Sequence, residues 1–139
     1  MTFKNKSLGI LGGGQLGKML ANAAKELGYN SILYCPKGDN PAECNVNEYI
    51  DGNWDDDKKL QIFASKVDVI TSEFENVPAK TLNNLSKLTK VYPSSFCFNI
   101  AQYRNKEKEM ASKSGFLVPK WYRIKSFKDL VKYSNILNH

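Results

Sequence analysis

A glycine-rich segment near the amino terminus is the first feature of this 139-residue sequence with the spacing of a ligand site. Gly12, Gly14 and Gly17 follow an apolar run over residues 7–11 and precede a stretch of helical periodicity. This order of strand, turn and helix is that of a dinucleotide-binding fingerprint. Glycines leave backbone amides uncovered at the amino end of a helix, where an anion is favoured. The segment predicts an anion-binding turn, although such glycines also serve close packing of a helix on a strand.

A pair of glutamates forms the second candidate site. Glu73 and Glu75 follow the apolar part of a strand predicted over residues 68–74, at the end where open parallel sheets bind ligands. In an extended chain, residues two apart point to the same face, and two carboxylates side by side need hydrogen-bond donors or cations. The hydroxyls of a sugar or an exocyclic amine would supply those donors. Either glutamate alone could instead cap the helix predicted to begin near Pro78.

A third segment, with the sequence AQYRNKEK, places Arg104, Lys106 and Lys108 on a predicted helix. These cations could reach the phosphates of a nucleotide. Without further support the pattern is more typical of a solvated helix face.

A nicotinamide-dependent dehydrogenase is one alternative for the glycine segment. Such an enzyme needs an acidic residue about 20 residues further on, to hold a ribose hydroxyl. The predicted second strand ends instead in Tyr34-Cys35-Pro36-Lys37. The sequence therefore lacks the second half of the NAD-binding signature. NADP stays possible, because Lys37 could bind its 2′-phosphate.

Composition and charge restrict the class of protein and the kinds of partner that the sequence allows. Hydrophobic residues make up 42% and charged residues 24%, which is typical of a folded globular domain. The net charge is +6, but the lysines are scattered, so no nucleic-acid partner is expected. No apolar run has the roughly 20 residues of a membrane span, and no signal peptide is recognisable. We expect no membrane partner and a cytoplasmic location.

The metal-ligating residue types are sparse. Cys35, Cys44 and Cys97 lack the paired spacing of a zinc site, and their odd number argues against a disulfide framework, so they are interpreted as reduced thiols. The single histidine, His139, is the last residue. No histidine-centred catalytic or metal site is expected within the chain.

Periodicity and turn residues predict an alternation of strands and helices. The predicted strands cover residues 7–11, 31–35, 49–50, 68–74 and 91–92. The first helix is indicated by apolar residues at helical spacing, Leu16, Met19, Leu20, Ala23 and Leu27, with Gly28 as its left-handed cap. This alternation predicts an α/β fold with a parallel sheet and helices on both faces.

The later helices carry more specific expectations. Asp55 is expected to cap a helix with an inward face of Leu60, Phe63, Ala64 and Val67, and Pro78 to open a helix with Leu82, Leu85 and Leu88 inward. After Pro93, residues 94–113 are predicted to be mostly helical, and residues 118–124 to form an edge strand or the strand of a new sheet. Ser126 and Asp129 resemble a capping box that opens a last helix, and a domain boundary is placed near residues 114–119.

Three segments together, GILGGGQLGKML, TSEFENVP and AQYRNKEK, resemble the 5-(carboxyamino)imidazole ribonucleotide synthases, a family of ATP-grasp ligases. The resemblance runs from about Ser7 to Pro119. It implies a Rossmann-like pre-ATP-grasp domain over residues 1–114, followed by the start of an ATP-grasp domain over residues 115–139.

The family reaction uses MgATP and bicarbonate to form carboxyphosphate, which carboxylates the exocyclic amine of 5-aminoimidazole ribonucleotide in purine biosynthesis. The resemblance implies that Gly14, Gln15 and Leu16 contact the aminoimidazole ribonucleotide. It implies that Glu75, together with Glu73 as a second candidate, holds the ribose or the amine. Arg104 corresponds to an arginine that reaches ATP phosphates. Tyr103 stands where relatives commonly carry an acidic residue, which is a departure at the ATP edge.

The family's ATP-binding lysine, its glycine-rich lid and its magnesium carboxylates have no counterpart before His139. We therefore expect no catalytic residue and no metal ligand within the chain, and no synthase activity from it alone. The family also implies a homodimer. Two rivals stay open, a formate-dependent glycinamide ribonucleotide transformylase of similar architecture and a non-catalytic Rossmann module that binds a nucleotide.

Overall fold

A computed structural model describes residues 6–137, and their strands form one five-stranded parallel sheet. The strands are β1 (Ser7–Leu11), β2 (Asn30–Cys35), β3 (Glu48–Asp51), β4 (Val69–Ser72) and β5 (Lys90–Tyr92). Their order across the sheet is β3-β2-β1-β4-β5, so β1 lies in the middle and the chain reverses its direction of winding there. The predicted α/β class and the parallel sheet are confirmed.

The helices follow the strands in alternation up to β5. They are α1 (Gln15–Glu26), α2 (Asp57–Ser65), α3 (Ala79–Leu85), α4 (Ser95–Ala101), α5 (Arg104–Lys113) and α6 (Phe127–Leu137), and a short 3₁₀ turn covers Glu43–Asn45. The chain forms two compact units, one ending at Gln102 and the other beginning at Tyr103. The assignment of residues 115–139 to an ATP-grasp domain stays a prediction. None of the helices within residues 6–137 is long and apolar enough to span a membrane.

Alternate side chains of the central strands pack into two separate hydrophobic clusters. Ile10 and Leu33 pack in a cluster with Ala21 of α1, whereas Leu11 and Tyr34 belong to the cluster that includes α2 and α3. Because neighbouring residues of a strand point to opposite faces, this division shows that both faces of the sheet are covered.

The packed face of α1 differs from its apolar stripe. The buried residues are Gly17, Ala21 and Ala24, and Leu16 is 58% exposed. A Cβ at Gly17 would lie 2.5 Å from the carbonyl oxygen of Gly12, so the helix approaches the preceding turn too closely for a larger residue. The predicted helix and its cap are confirmed, since Gly28 has a φ of +79°. Close approach, rather than hydrophobicity, selects the buried side.

The helices α2 and α3 confirm most of the expected inward faces. Leu60, Phe63, Ala64, Val67, Leu82 and Leu85 are all buried. Leu88 was expected to be buried and is 54% exposed, because α3 ends at Leu85. The predicted cap of α2 was also wrong by one residue. Asp56, and not Asp55, accepts a hydrogen bond from the amide of Lys59 at 3.0 Å.

The second unit departs from its prediction in one element. Residues 118–124 were predicted to form a strand, but they have no regular secondary structure and no neighbouring strand to pair with in the described part of the chain. The capping box before α6 is present. The Ser126 hydroxyl accepts from the amide of Asp129 at 3.2 Å, and the Asp129 carboxylate accepts from the amide of Lys125 at 3.0 Å. That second bond lowers the pKa of Asp129.

Candidate functional site

The glycine turn lies at the carboxyl end of β1, where the chain passes from the central strand into α1. Gly12 has a φ of +106°, which favours glycine, and its amide donates to the carbonyl oxygen of Tyr34 at 3.1 Å. A Cβ on Gly12 would also lie 2.6 Å from Oε1 of Glu73. The turn is therefore restricted to glycine here by backbone conformation and by the neighbouring carboxylate.

Glu73 reaches the same turn from the end of β4. Its Oε1 accepts a hydrogen bond from the amide of Gly14 at 3.0 Å, and its own amide donates to the carbonyl oxygen of Leu11 at 3.2 Å. The carboxylate is half-buried and lies at the amino end of α1, where the helix dipole stabilises negative charge. No cation pairs with it within residues 6–137. The turn thus carries a negative charge supplied by the protein.

This carboxylate changes the interpretation of the glycine fingerprint. The amide of Gly14 was expected to be free for an anion, but Glu73 occupies it. A pyrophosphate bound there would meet a carboxylate at hydrogen-bonding distance, which is unfavourable. The arrangement disfavours NAD or NADP at the turn and favours a ligand that offers hydrogen-bond donors.

A cleft of about 360 Å³ lies over the turn. Its lining includes the backbone of residues 12–14, Asn40 from the loop after β2, Trp54 from the loop after β3, and Glu73 and Phe74 from the loop after β4. These loops all follow the carboxyl ends of parallel strands, and β1 and β4 flank the point where the winding reverses. Open α/β sheets bind their ligands in this position.

One wall of the cleft is aromatic. The rings of Trp54 and Phe74 are stacked, with centroids 6.4 Å apart and planes inclined by 23°. Trp54 also contacts the buried ring of Tyr34, with centroids 5.9 Å apart. These contacts hold a half-exposed flat surface at the cleft, which suits a planar ring in a ligand.

Glu75 is placed differently from Glu73. β4 ends at Ser72, so the two glutamates do not lie in an extended strand, and the predicted strand over residues 68–74 was too long at this end. Glu75 lies in an exposed turn and is not among the residues that line the cleft. Its backbone carbonyl accepts from Nε2 of Gln102 at 2.8 Å, and Gln102 also donates to the carbonyl of Val77 at 2.8 Å. Gln102 therefore holds the loop between Glu73 and α3.

Gln15 and Leu16 open α1 beside the cleft residue Gly14. Both side chains are exposed. Their backbone amides belong to the first turn of the helix, where an amide has no acceptor within the helix. The turn therefore offers donors next to the Glu73 acceptor.

The sequence profile of the ribonucleotide synthetase preATP-grasp domain matches residues 5–102. The chain belongs to this family. The match covers the sheet, α1–α4 and each of the cleft residues described above. The preATP-grasp domain thus accounts for the whole first compact unit.

The chain is similar to proteins named N5-carboxyaminoimidazole ribonucleotide synthases. The N5-carboxyaminoimidazole ribonucleotide synthase of Brucella melitensis is 41% identical over 115 residues, which cover 83% of this chain and 32% of that protein. The Staphylococcus aureus N5-carboxyaminoimidazole synthetase, solved with ADP, has a TM-score of 0.88 and 34% identity over 95% of this chain and 35% of that one. The chain spans about a third of the length of these relatives.

A fungal relative extends the fold comparison. The Aspergillus clavatus N5-carboxyaminoimidazole synthase, solved with ADP and 5-aminoimidazole ribonucleotide, has a TM-score of 0.85 and 24% identity over 99% of this chain and 38% of that one. At that identity the likeness concerns the fold of the preATP-grasp domain.

Arg104 lies outside the matched preATP-grasp segment, at the start of α5 in the second unit. Its guanidinium is exposed and pairs with the carboxylate of Glu107 one helical turn on. Tyr103 precedes it, and the ammonium of Lys106 lies 4.3 Å from the centre of the Tyr103 ring. Its predicted role at ATP phosphates stays a prediction.

Two groups at the preATP-grasp cleft, the buried Cys35 and the partly buried Tyr49, have raised pKa values and are neutral at pH 7. Burial raises the pKa of the Cys35 thiol to about 11 and that of the Tyr49 hydroxyl to about 12. Cys35 is therefore a weak nucleophile at neutral pH. Among the residues that the structure describes, no group of three or more His, Cys, Asp and Glu side chains could hold a metal ion.

Asn40, Trp54 and Gln102 were missed as site residues from the sequence. Asn40 stands in an Asn-Pro pair after β2, a turn signal at the binding edge of a parallel sheet, which could have drawn attention to it. Trp54 and Gln102 carry no local signal, because their roles depend on which loops meet in the fold.

Proposed function

We propose that this chain is the pre-ATP-grasp part of an N5-carboxyaminoimidazole ribonucleotide synthase, an ATP-grasp ligase of purine biosynthesis. The proposed substrate of the cleft is 5-aminoimidazole ribonucleotide, and the other substrates of the reaction are ATP and bicarbonate. In that reaction carboxyphosphate is formed, the exocyclic amine is carboxylated, and ADP and phosphate leave.

The observation that carries the proposal is the carboxylate of Glu73, which lies at the glycine turn beside a flat aromatic wall. Among the described residues no cation pairs with this carboxylate. Oε1 is held by Gly14, and Oε2 has no described partner. A planar base with an amine, attached to a sugar with hydroxyls, offers a ring for the aromatic wall and donors for the free oxygen of Glu73.

The same features argue against the rivals. A glycinamide ribonucleotide has no planar base for the wall of Trp54 and Phe74. A nicotinamide dinucleotide would bring phosphates to an amide that Glu73 already occupies. A non-catalytic nucleotide-binding module stays a rival, and the ligand preference below separates it from the synthase.

The predicted contacts of Gly14, Gln15 and Leu16 with the ribonucleotide are part of the proposal. Glu73 is the proposed acceptor for the ribose or the amine. Glu75 stays a candidate for the same role, although its side chain is exposed outside the cleft lining. Arg104 is the proposed contact to ATP phosphates from the second unit.

The residues that the structure describes include no group of carboxylates, thiols or imidazoles that fits the magnesium ion of the family reaction. We expect residues 1–139 alone to turn over no ATP in the presence of bicarbonate and the ribonucleotide. Release of phosphate by this polypeptide would contradict that expectation. A homodimer is a further expectation from the family, and a cytoplasmic location stays an expectation from the sequence.

Trp54 supplies a direct test of the ligand. The sequence has two tryptophans, so a Trp121→Phe variant leaves the cleft indole as the only tryptophan fluorophore. Titration with 5-aminoimidazole ribonucleotide should change its emission with saturation, whereas glycinamide ribonucleotide and NADPH at equal concentrations should not. Saturable binding of NADPH without binding of the imidazole ribonucleotide would refute the proposal. Equal affinity for any nucleotide tested would favour the non-catalytic module.

A further inference from the structure

The loop between β2 and β3 folds onto the glycine turn. The amide of Ala42 donates to the carbonyl oxygen of Gly13 at 3.0 Å, which ties the loop to the turn. A Cβ built on Gly13 would lie 2.5 Å from Oδ1 of Asn40. The side-chain oxygen of Asn40 therefore rests against the turn, in the lining of the cleft.

The orientation of the Asn40 amide is fixed from its other side. Nδ2 donates to the carbonyl oxygen of Pro36 at 3.0 Å and to the hydroxyl of Tyr49 at 3.2 Å. The Tyr49 hydroxyl in turn donates a hydrogen bond to the carbonyl oxygen of Cys35 at 3.4 Å. An amide group has two N–H donors, and both are used. A flipped amide would set Oδ1 against the Pro36 carbonyl, two acceptors facing each other, so this orientation is strongly preferred.

The acceptor that remains is Oδ1, for which the described structure provides no hydrogen-bond donor. It shares the cleft with the acceptor Oε2 of Glu73 and the aromatic wall of Trp54 and Phe74. Oε2 of Glu73 can accept from a ribose hydroxyl. A second acceptor, held rigidly and uncharged, suits a donor on the base.

We propose that Asn40 is a specificity-determining residue whose Oδ1 accepts a hydrogen bond from the amino group on the planar base of the ligand. This inference rests on the proposed function, because it assigns a role within the same cleft. Tyr49 acts through Asn40 as a positioning residue. A hydrogen bond between a ligand and a fixed neutral acceptor changes affinity by about three- to tenfold.

The test compares two ligands by Trp54 fluorescence in the Trp121→Phe background. These are 5-aminoimidazole ribonucleotide and the analogue that lacks the exocyclic amine. The parent chain should prefer the amino ligand by about three- to tenfold. Asn40→Ala should bind both ligands equally, with its affinity for the analogue unchanged. Tyr49→Phe, which removes one of the two anchors of the amide, should show an intermediate preference.

Asn45→Ala is the matched control. Asn45 lies in the same loop, but its side-chain amide donates to Asn22 at 2.8 Å and does not line the cleft. This variant should keep the full preference. A cooperative thermal unfolding transition shows that each variant is folded. If Asn40→Ala does not fold, the ligand preference of Tyr49→Phe tests the role of Asn40 instead.

The outcomes separate the two proposals. An amino preference that survives in both Asn40→Ala and Tyr49→Phe would overturn the role of Asn40 while leaving the proposed function intact. Absence of binding of either imidazole ribonucleotide to the parent chain would overturn the proposed function and this inference with it.

Discussion

The carboxylate of Glu73 and the backbone amide of Gly14, 59 residues apart in the sequence, are joined by a 3.0 Å hydrogen bond. The bond connects the end of β4 to the first turn of α1 across the middle of the sheet. It gives Glu73 a part in folding as well as a position in the cleft.

Glu73→Ala should lower the free energy of unfolding by about 1–2 kcal/mol, because the Gly14 amide loses a charged acceptor at a helix amino end. Glu73→Gln should lower it less, since an amide oxygen can still accept. Urea denaturation measures both. Glu75→Ala is the matched control and should leave stability unchanged, because that side chain is exposed. Equal losses in Glu73→Ala and Glu75→Ala would contradict the assignment.

Three glycines form a graded test of the turn. Gly12 combines a positive φ with a clash at Glu73, Gly28 has a positive φ in open space, and Gly38 has neither constraint. Substitution by alanine should destabilise by more than about 2 kcal/mol at Gly12, by about 1 kcal/mol at Gly28, and by less than about 0.5 kcal/mol at Gly38. Chemical denaturation of the three variants gives the order. Equal values at Gly12 and Gly28 would show that the carboxylate does not restrict the turn.

The strands, the turn and the capping glycine were predictable because their signals are local. An apolar run before Gly12 and the spacing of residues after it specify strand, turn and helix without reference to the rest of the chain. The buried side of α1 was not predictable in this way. Gly17 and Ala21 are buried because α1 approaches the sheet closely, and this distance is a property of the assembled fold.

Only part of the candidate site was predictable from the sequence. Glu73 was identified because it follows a strand at the binding edge. Asn40 and Trp54 join the cleft because the strand order sets the loops after β2, β3 and β4 around the turn, and strand order is a long-range property. The predicted strand over residues 118–124 failed for a related reason. A suitable pattern forms a strand only where a neighbour supplies the other half of the ladder.

Gln102 should prove to be a stabilising residue of the loop after β4. Gln102→Ala removes two 2.8 Å hydrogen bonds to the carbonyls of Glu75 and Val77, so we expect a loss of about 1–2 kcal/mol. Hydrogen exchange of the amides at 74–77 should become faster. Gln102→Glu should be worse than alanine, since a carboxylate would face two carbonyl oxygens. Gln61→Ala, on the exposed side of α2, is the control, and exchange rates equal to that control would contradict the role.

The three thiols should differ in reactivity. Cys35 is buried and its pKa is raised to about 11, so about one in a thousand of these thiols is ionised at pH 8. Cys44 and Cys97 are exposed. Titration of the folded protein with a disulfide reagent should show two fast thiols and a third that reacts after denaturation. Three fast thiols in the folded state would contradict the burial of Cys35.

Alkaline pH should destabilise the first unit through the same thiol. The folded-state pKa of Cys35 is about 11 against a reference of 9.0, so the unfolded chain loses this proton first. The stabilising contribution is complete below about pH 9 and is lost as the pH rises towards 11, amounting to about 3 kcal/mol at most. Urea denaturation at pH 8, 9.5 and 10.5 should show the decline, with a shallower slope in Cys35→Ala. Identical slopes would exclude this linkage.

The central position of β1 has a consequence for redesign. The loop after β2 brings Asn40 to Gly13, and the loop after β4 brings Glu73 to Gly12 and Gly14. Two separate chain segments therefore meet at the glycine turn. A new recognition loop grafted after β2 or β4 would therefore have to keep the contact of Ala42 or Glu73 with the turn, since these contacts serve folding as well as the cleft.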